Sequence, residues 1–248
     1  MSFACPARIK GSEFMTVRIK CREFVEKHCA GYDASHDISH IDRVVSNAIK
    51  IYNLSDDVTK AQVDTNVLIA IASLHDSFDH KYLTTCEAVT AAKAEVTAFL
   101  SAQFGFSPET ISTVITVIDN MGYTAEVSGD SQAWDGSTTA YLHIVQDADR
   151  LDAIGAMGVA RCLAFTGAFK RPIISPDGQM ELEQRRAFAA GELKPVASKG
   201  GSAIGHFYDK LLFLQDMLKT PAGKKIGLQR HEFLLQFLDQ FFEEAGLL

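Results

Sequence analysis

The sequence predicts an all-α protein, a helical bundle in a single domain. Three observations carry that reading. Apolar residues recur at three- and four-residue spacings in segment after segment. No stretch of six or more residues alternates convincingly at period two, as a half-buried strand would. Hydrophobic residues make up 47% of the 248, enough to fill a core and too many for a disordered chain.

The elements follow in order. A first helix around Val25 ends near Gly31. Ile38, Ile41, Val44, Val45, Ala48, Ile49 and Tyr52 form one buried stripe of a second. Val67, Leu68, Ile71 and Leu74 give a third, so apolar that it belongs at the centre. Ala88–Phe99 and Ile111–Ile118 supply two more, and Pro108 falls in the first turn of the latter, where its missing N–H costs nothing. The polar, turn-rich stretch 124–139 reads as a loop. A helix then runs from about Tyr141, and its apolar run continues through Leu151, Ile154, Met157 and Val159. Residues 170–203, with three prolines and four glycines, read as the longest irregular stretch, of the kind that is often functional. Two amphipathic helices close the chain, one carrying Ile204, Phe207, Tyr208, Leu211 and Leu218, the other Leu234, Phe237, Leu238 and Phe241.

Composition excludes some partners. A net charge of −7 argues against a protein that coats nucleic acid, which needs clustered Lys and Arg. It leaves room for a small phosphorylated substrate, held by a few local cations. No stretch approaches the roughly 18 uncharged apolar residues of a membrane span. The five cysteines are odd in number and form no CxxC pair, which favours reduced thiols and a cytoplasmic location over a disulfide framework. Gly11-Ser12-Glu13-Phe14 reads as the translation of two adjacent cloning sites followed by Met15. Residues 1–14 are therefore read as an added leader and 15–248 as the domain.

The chemistry-bearing residues gather in three places. His36 and His40 are four apart at the start of the second helix, on one face. His75 and Asp76 stand together at the C-terminal end of the most apolar helix, and Asp147, Asp149 and Asp152 cluster in QDADRLDA. Ionisable groups at the end of a buried helix are costly unless compensated. A divalent cation compensates them, because it keeps carboxylates ionised and imidazoles neutral.

With these residues in view, the chain resembles the HD superfamily of metal-dependent phosphohydrolases, whose signature is a His, a His-Asp pair and an Asp on separate helices. The likeness rests on HDISHIDRV around His40, SLHDSFDHKY around His75-Asp76, VQDADRLDAIGAMGVAR around Asp147, and the closing GHFYDKLLFLQDML and RHEFLLQFLDQFF segments. It spans nearly all of residues 17–246 and is similar to bacterial-type stand-alone HD hydrolases that include nucleotide pyrophosphohydrolases. The resemblance implies an HD-domain helical bundle in which His40, His75, Asp76 and Asp147 ligate one divalent metal, with Mn, Fe, Ni and Mg all compatible with mixed N and O ligands. Such an ion acidifies bound water and neutralises phosphoryl oxygens. Asp76, His36 and Lys81 are the expected catalytic residues. His36 is read as orienting a ligand, protonating a leaving oxygen or contacting substrate, against a structural role. Lys81 follows Asp79 in a run resembling the family's HD-x-x-D-x-K and is read as a phosphate clamp or a solvated lysine. Arg43 is read as a phosphate contact or the partner of a site carboxylate. Arg150 is a candidate substrate contact which, with Asp149 and Asp152, could equally support the ligands or pair at a helix end. His206 and Lys210 favour a structural reading. The chain departs from its relatives at Asn120–Thr124, where they tend to carry a Ser and a Lys, and residues 81–142 hold no histidine, which favours one metal over two. The function expected is hydrolysis of a phosphoester or phosphoanhydride bond in a small molecule, a nucleotide first. The alternatives are a phosphomonoesterase or cyclic-nucleotide phosphodiesterase, or a non-catalytic metal- or nucleotide-binding regulator.

Overall fold

The computed structural model of the chain describes residues 12–28, 38–78, 83–127, 134–196 and 201–247. Among the described residues there is no strand. The helices, in chain order, are α1 (Ser12–His28), α2 (Ile38–Leu54), α3 (Asp57–Gln62), α4 (Thr65–Leu74), α5 (Cys86–Phe104), α6 (Pro108–Asp119), α7 (Tyr123–Val127), α8 (Gly136–Asp152), α9 (Gly155–Ala168), α10 (Gln179–Ala189), α11 (Ala203–Asp209) and α12 (Pro221–Glu244).

The centre of the bundle is α4. Every residue from Val67 to Leu74 is buried. A helix that is apolar all round can be stable only inside other helices. Here α1, α2, α6 and α8 surround it. Asp64 starts it by accepting from the backbone N–H groups of Asn66 and Val67. The second helix buries Ile41, Val44, Val45 and Ala48 of the stripe its periodicity predicts, while Ile38, Ile49 and Tyr52 are only partly buried and Ile51 is buried instead; it packs most extensively on α8. From the first helix, Val17, Cys21 and Val25 reach the core at four-residue steps. This helix starts at Ser12, so the last three residues of the segment read as a leader continue into it; residues 1–11 lie outside the described residues.

The structure differs from the expected element order in five places. The 124–139 stretch contains α7, and α8 begins at Gly136 rather than near Tyr141, because the Asp135 carboxylate caps it through Thr138 and Ser137. The apolar run after Asp152 does not continue α8; the chain bends by 69° into α9. Gly155 makes that bend at φ +74°, and a Cβ there would also sit 3.1 Å from Arg230 Cβ. Within 170–203, residues 179–189 form α10. Its Gln, Met, Glu, Leu, Arg and Ala residues are strong helix formers, which the flanking prolines and glycines obscured. Finally, α11 stops at Asp209 and a 3-10 turn follows at Leu211–Phe213. Helix α3 was not expected at all: none of its residues is buried, so it has no apolar period to read. No single described helix is long and apolar enough to cross a membrane.

Candidate metal centre

Three helix ends meet beside α4. The first turn of α2 carries His40, the residues just past α4 are His75 and Asp76, and the last turn of α8 carries Asp149 and Asp152. Both imidazoles are buried. Their Nε2 atoms lie 3.2 Å apart with the rings nearly at right angles. Asp76 closes over this point, with Oδ1 3.3 Å from His75 Nε2 and Oδ2 3.5 Å from His40 Nε2. Asp149 Oδ1 approaches from the other side, at 3.6 Å from His40 Nε2 and 3.8 Å from His75 Nε2. Asp149 is part-exposed, so this side of the cluster opens to solvent.

The second nitrogen of each ring is already committed. His75 Nδ1 is 2.9 Å from the Ala72 carbonyl, which can only accept. His40 Nδ1 is 2.8 Å from Asp152 Oδ2, an ionised carboxylate that can also only accept. When neutral, the rings therefore carry their protons on Nδ1 and turn bare Nε2 lone pairs toward each other and toward two carboxylates. Such a point attracts positive charge. Burial opposes a charge on the His40 ring, yet hydrogen bonds to Asp152 and Asp76 overcome it and push its pKa up to about 9. Burial likewise works against the Asp149 carboxylate, and the neighbouring His75 and His40 charges still hold its pKa below the ordinary value. Two imidazole nitrogens and two carboxylates around one point are a donor set suited to a divalent first-row metal, so the residues present fit one.

The position of Asp147 corrects the expected ligand set. Its carboxylate faces away from the cluster: Oδ1 accepts from the Lys219 backbone N–H at 2.8 Å, and Oδ2 accepts from the Thr220 N–H at 2.7 Å and the Thr220 hydroxyl at 2.6 Å. It ties α8 to the first turn of α12, which Thr220 caps. Two residues along a helix is a rotation of about 200°, so Asp147 and Asp149 cannot face the same site. Asp149 takes the place expected for Asp147. The three-residue spacing of Asp149 and Asp152, which puts both on one face, was the signal in the sequence.

The candidate substrate contacts also find other partners. Arg43 grips Asp152 with Nε at 2.7 Å and Nη2 at 3.1 Å, and donates from Nη1 to the Ser39 hydroxyl; of its two expected roles the structure realises the pairing with a site carboxylate. Arg150 is buried and donates to the Met217 carbonyl at 2.7 Å and to Glu126, which Lys219 also meets. Its guanidinium is thus turned into the fold and holds α7 and the segment before α12 to α8, which removes it as a substrate contact. Arg161, which sequence reasoning did not single out, reaches Asp152 Oδ2 at 3.1 Å from α9. His36, Asp79 and Lys81 lie outside the described residues.

Comparison with known proteins bears on the fold and the superfamily. The chain is 30% identical over 204 residues to a protein of Acanthamoeba polyphaga mimivirus, covering 78% of this chain and 79% of that one. It superposes on an HD-superfamily hydrolase from Bacillus thuringiensis with a TM-score of 0.63 and 26% identity, over 95% of this chain and 100% of the other. The chain belongs to the HD superfamily. A third relative of this HD-superfamily protein is YpgQ of Bacillus subtilis, 29% identical over 88% of this chain and 89% of YpgQ. The crystal structure of YpgQ in complex with ADP matches at a TM-score of 0.62, covering 94% of this chain and 96% of that one. No protein-family model matches the chain.

Proposed function

We propose that this HD-superfamily chain is a metal-dependent phosphohydrolase whose substrate is a small phosphorylated molecule, a nucleotide first. The observation that carries the proposal is the convergence of His40 Nε2, His75 Nε2, Asp76 and Asp149 on one point that opens to solvent. Membership of a superfamily that includes a named hydrolase supports the reaction class, and the ADP complex of YpgQ supports the substrate class.

In this reading His40, His75, Asp76 and Asp149 hold one divalent ion, which when bound supplies an acidified water and a positive charge for phosphoryl oxygens. The chain does the rest. Ala72 and Asp152 fix the two rings with Nε2 outward. Asp76, beside both rings, is placed to accept a proton from an attacking water. The part-exposed side at Asp149 leaves room for a phosphate group. Phosphoryl transfer asks the protein mainly for positioning and electrostatics, which such an arrangement provides.

The test is a substrate panel of ribo- and deoxyribonucleoside triphosphates, nucleoside diphosphates, cyclic nucleotides and simple phosphomonoesters. It is run with Mn²⁺, Mg²⁺, Ni²⁺ and Fe²⁺ separately, and products are separated by chromatography. The expected outcome is metal-dependent release of pyrophosphate and a nucleoside monophosphate. Orthophosphate as the sole early product, or cleavage of phosphomonoesters alone, moves the assignment to a phosphatase. No turnover with any metal despite bound ion leaves a binding protein instead.

A further inference from the structure

Asp152 lies behind His40, on the ring nitrogen opposite the point where the two Nε2 atoms meet, yet it is among the most heavily engaged side chains in the protein. It is 1% exposed. Four nitrogen atoms converge on it from two helices: His40 Nδ1 at 2.8 Å and Arg43 Nε and Nη2 at 2.7 and 3.1 Å from α2, and Arg161 Nη1, in an ion pair at 3.1 Å, from α9, while Asp152 itself ends α8. A carboxylate buried to this degree is costly unless fully paired, and breaking one side of such a pair is more costly still.

We propose that Asp152, gripped by Arg43 and Arg161, is the positioning residue of the metal centre: it sets the tautomer and orientation of His40 so that Nε2 faces the metal point, and through Arg161 it makes α9 part of the centre without contact. This rests on the metal reading above. An imidazole without a fixed partner can turn its ring over or move its proton, and either presents the wrong atom. With Asp152 accepting at Nδ1, only Nε2 is left bare. The two arginines hold the carboxylate in turn. Arg43 binds both oxygens, which fixes the plane, and Arg161 binds the same oxygen as His40, which fixes its height along α8. The 69° bend at Gly155 is what brings Arg161 back onto the last turn of α8.

The distribution of donors makes the proposal specific. Three of the four donors meet Oδ2, and one meets Oδ1. In an Asp152→Asn variant the amide nitrogen takes the Oδ1 side, where it meets only Arg43 Nε. The oxygen stays on His40, so the variant keeps the tautomer. Asp152→Ala removes the acceptor altogether.

The experiment measures Mn²⁺ affinity of the full chain by titration, beside far-UV circular dichroism and the melting temperature. It also reads the ¹⁵N resonances of His40 in the Zn²⁺-loaded protein. Wild type, Asp152→Ala, Asp152→Asn, Arg161→Gln and His75→Ala are compared. Changes to such outer partners typically weaken metal binding about 10–100-fold. The expected result is a loss of that size for Asp152→Ala, about tenfold for Arg161→Gln, and less for Asp152→Asn, with a protonated Nδ1 retained in the asparagine variant. Should Asp152→Ala fail to fold, Arg161→Gln and Asp152→Asn carry the test. Wild-type affinity in Arg161→Gln and in a folded Asp152→Ala overturns the inference while leaving the metal reading intact. Absence of Mn²⁺ binding in wild type itself, equal to His75→Ala, overturns the metal reading and the inference with it.

Discussion

Replacing Asp147 and Asp149 one at a time separates the two carboxylates most sharply. Asp147→Ala takes away the acceptor of three donors: the backbone N–H groups of Lys219 and Thr220 and the Thr220 hydroxyl. Each donor left without a partner in a buried place costs about 1–3 kcal/mol. Part of that returns, because burial raises the pKa of Asp147 even against its hydrogen bonds, so the carboxylate is itself expensive to keep. A net destabilisation of about 2–4 kcal/mol follows. For a chain of this size that lowers the melting temperature by roughly 5–15 °C. Metal content stays at the wild-type level, because Asp147 points at α12. Asp149→Ala gives the reverse pattern: little change in melting temperature without metal, and loss of bound metal. Thermal denaturation of the metal-free variants, beside metal analysis after dialysis against Mn²⁺, reads both quantities. An Asp147→Ala protein that folds normally and binds no metal, beside an Asp149→Ala protein that keeps it, would refute the assignment.

Other expectations follow from the same contacts. Asp76→Ala removes bound metal and activity while leaving helical content by circular dichroism; near-wild-type turnover at saturating Mn²⁺ contradicts that role. Gly223→Ala puts a Cβ against Asp147 Oδ2 and 2.8 Å from the Thr220 hydroxyl, and overpacking of this kind costs about 1–3 kcal/mol; a denaturant midpoint unchanged from wild type rules it out. Glu181 is buried and accepts from the Ser175 backbone and hydroxyl and from the Ser202 hydroxyl, which tie the segment before α10 to the start of α11. Burial works to raise its pKa, but these hydrogen bonds hold it below the ordinary 4.5. The stabilisation is therefore fully present above about pH 4.5 and is lost as pH falls through the lowered folded value. Glu181→Gln should flatten that part of the acid limb of a stability–pH curve, and an unchanged limb counts against it.

Much of the fold and part of the centre were legible in the sequence, for physical reasons. The stripes of α2 and α4 are long and strongly apolar, and burial follows such stripes directly. Helix α3 buries nothing, and α10 sits among prolines and glycines, so neither announces itself by period. His40, His75 and Asp76 stand at helix ends whose apolar bodies fix where they emerge. The acidic residues of α8 are harder to assign, because QDADRLDA offers three carboxylates within six positions. Counting along the chain does not distinguish them, whereas helical rotation does: Asp149 and Asp152 share the face toward α2, and Asp147 faces α12. Arg161 lay beyond reach, since nothing in the local sequence reveals the bend at Gly155 that carries it back to Asp152.

The most direct test of the central claim is a crystal structure of the protein grown with Mn²⁺, with anomalous diffraction collected at the manganese edge. The account predicts one strong peak about 2.0–2.3 Å from both His40 Nε2 and His75 Nε2, with Asp76 and Asp149 as the carboxylate ligands and Asp147 still hydrogen-bonded to Thr220. A peak at Asp147, or none between the two histidines at saturating Mn²⁺, would contradict it.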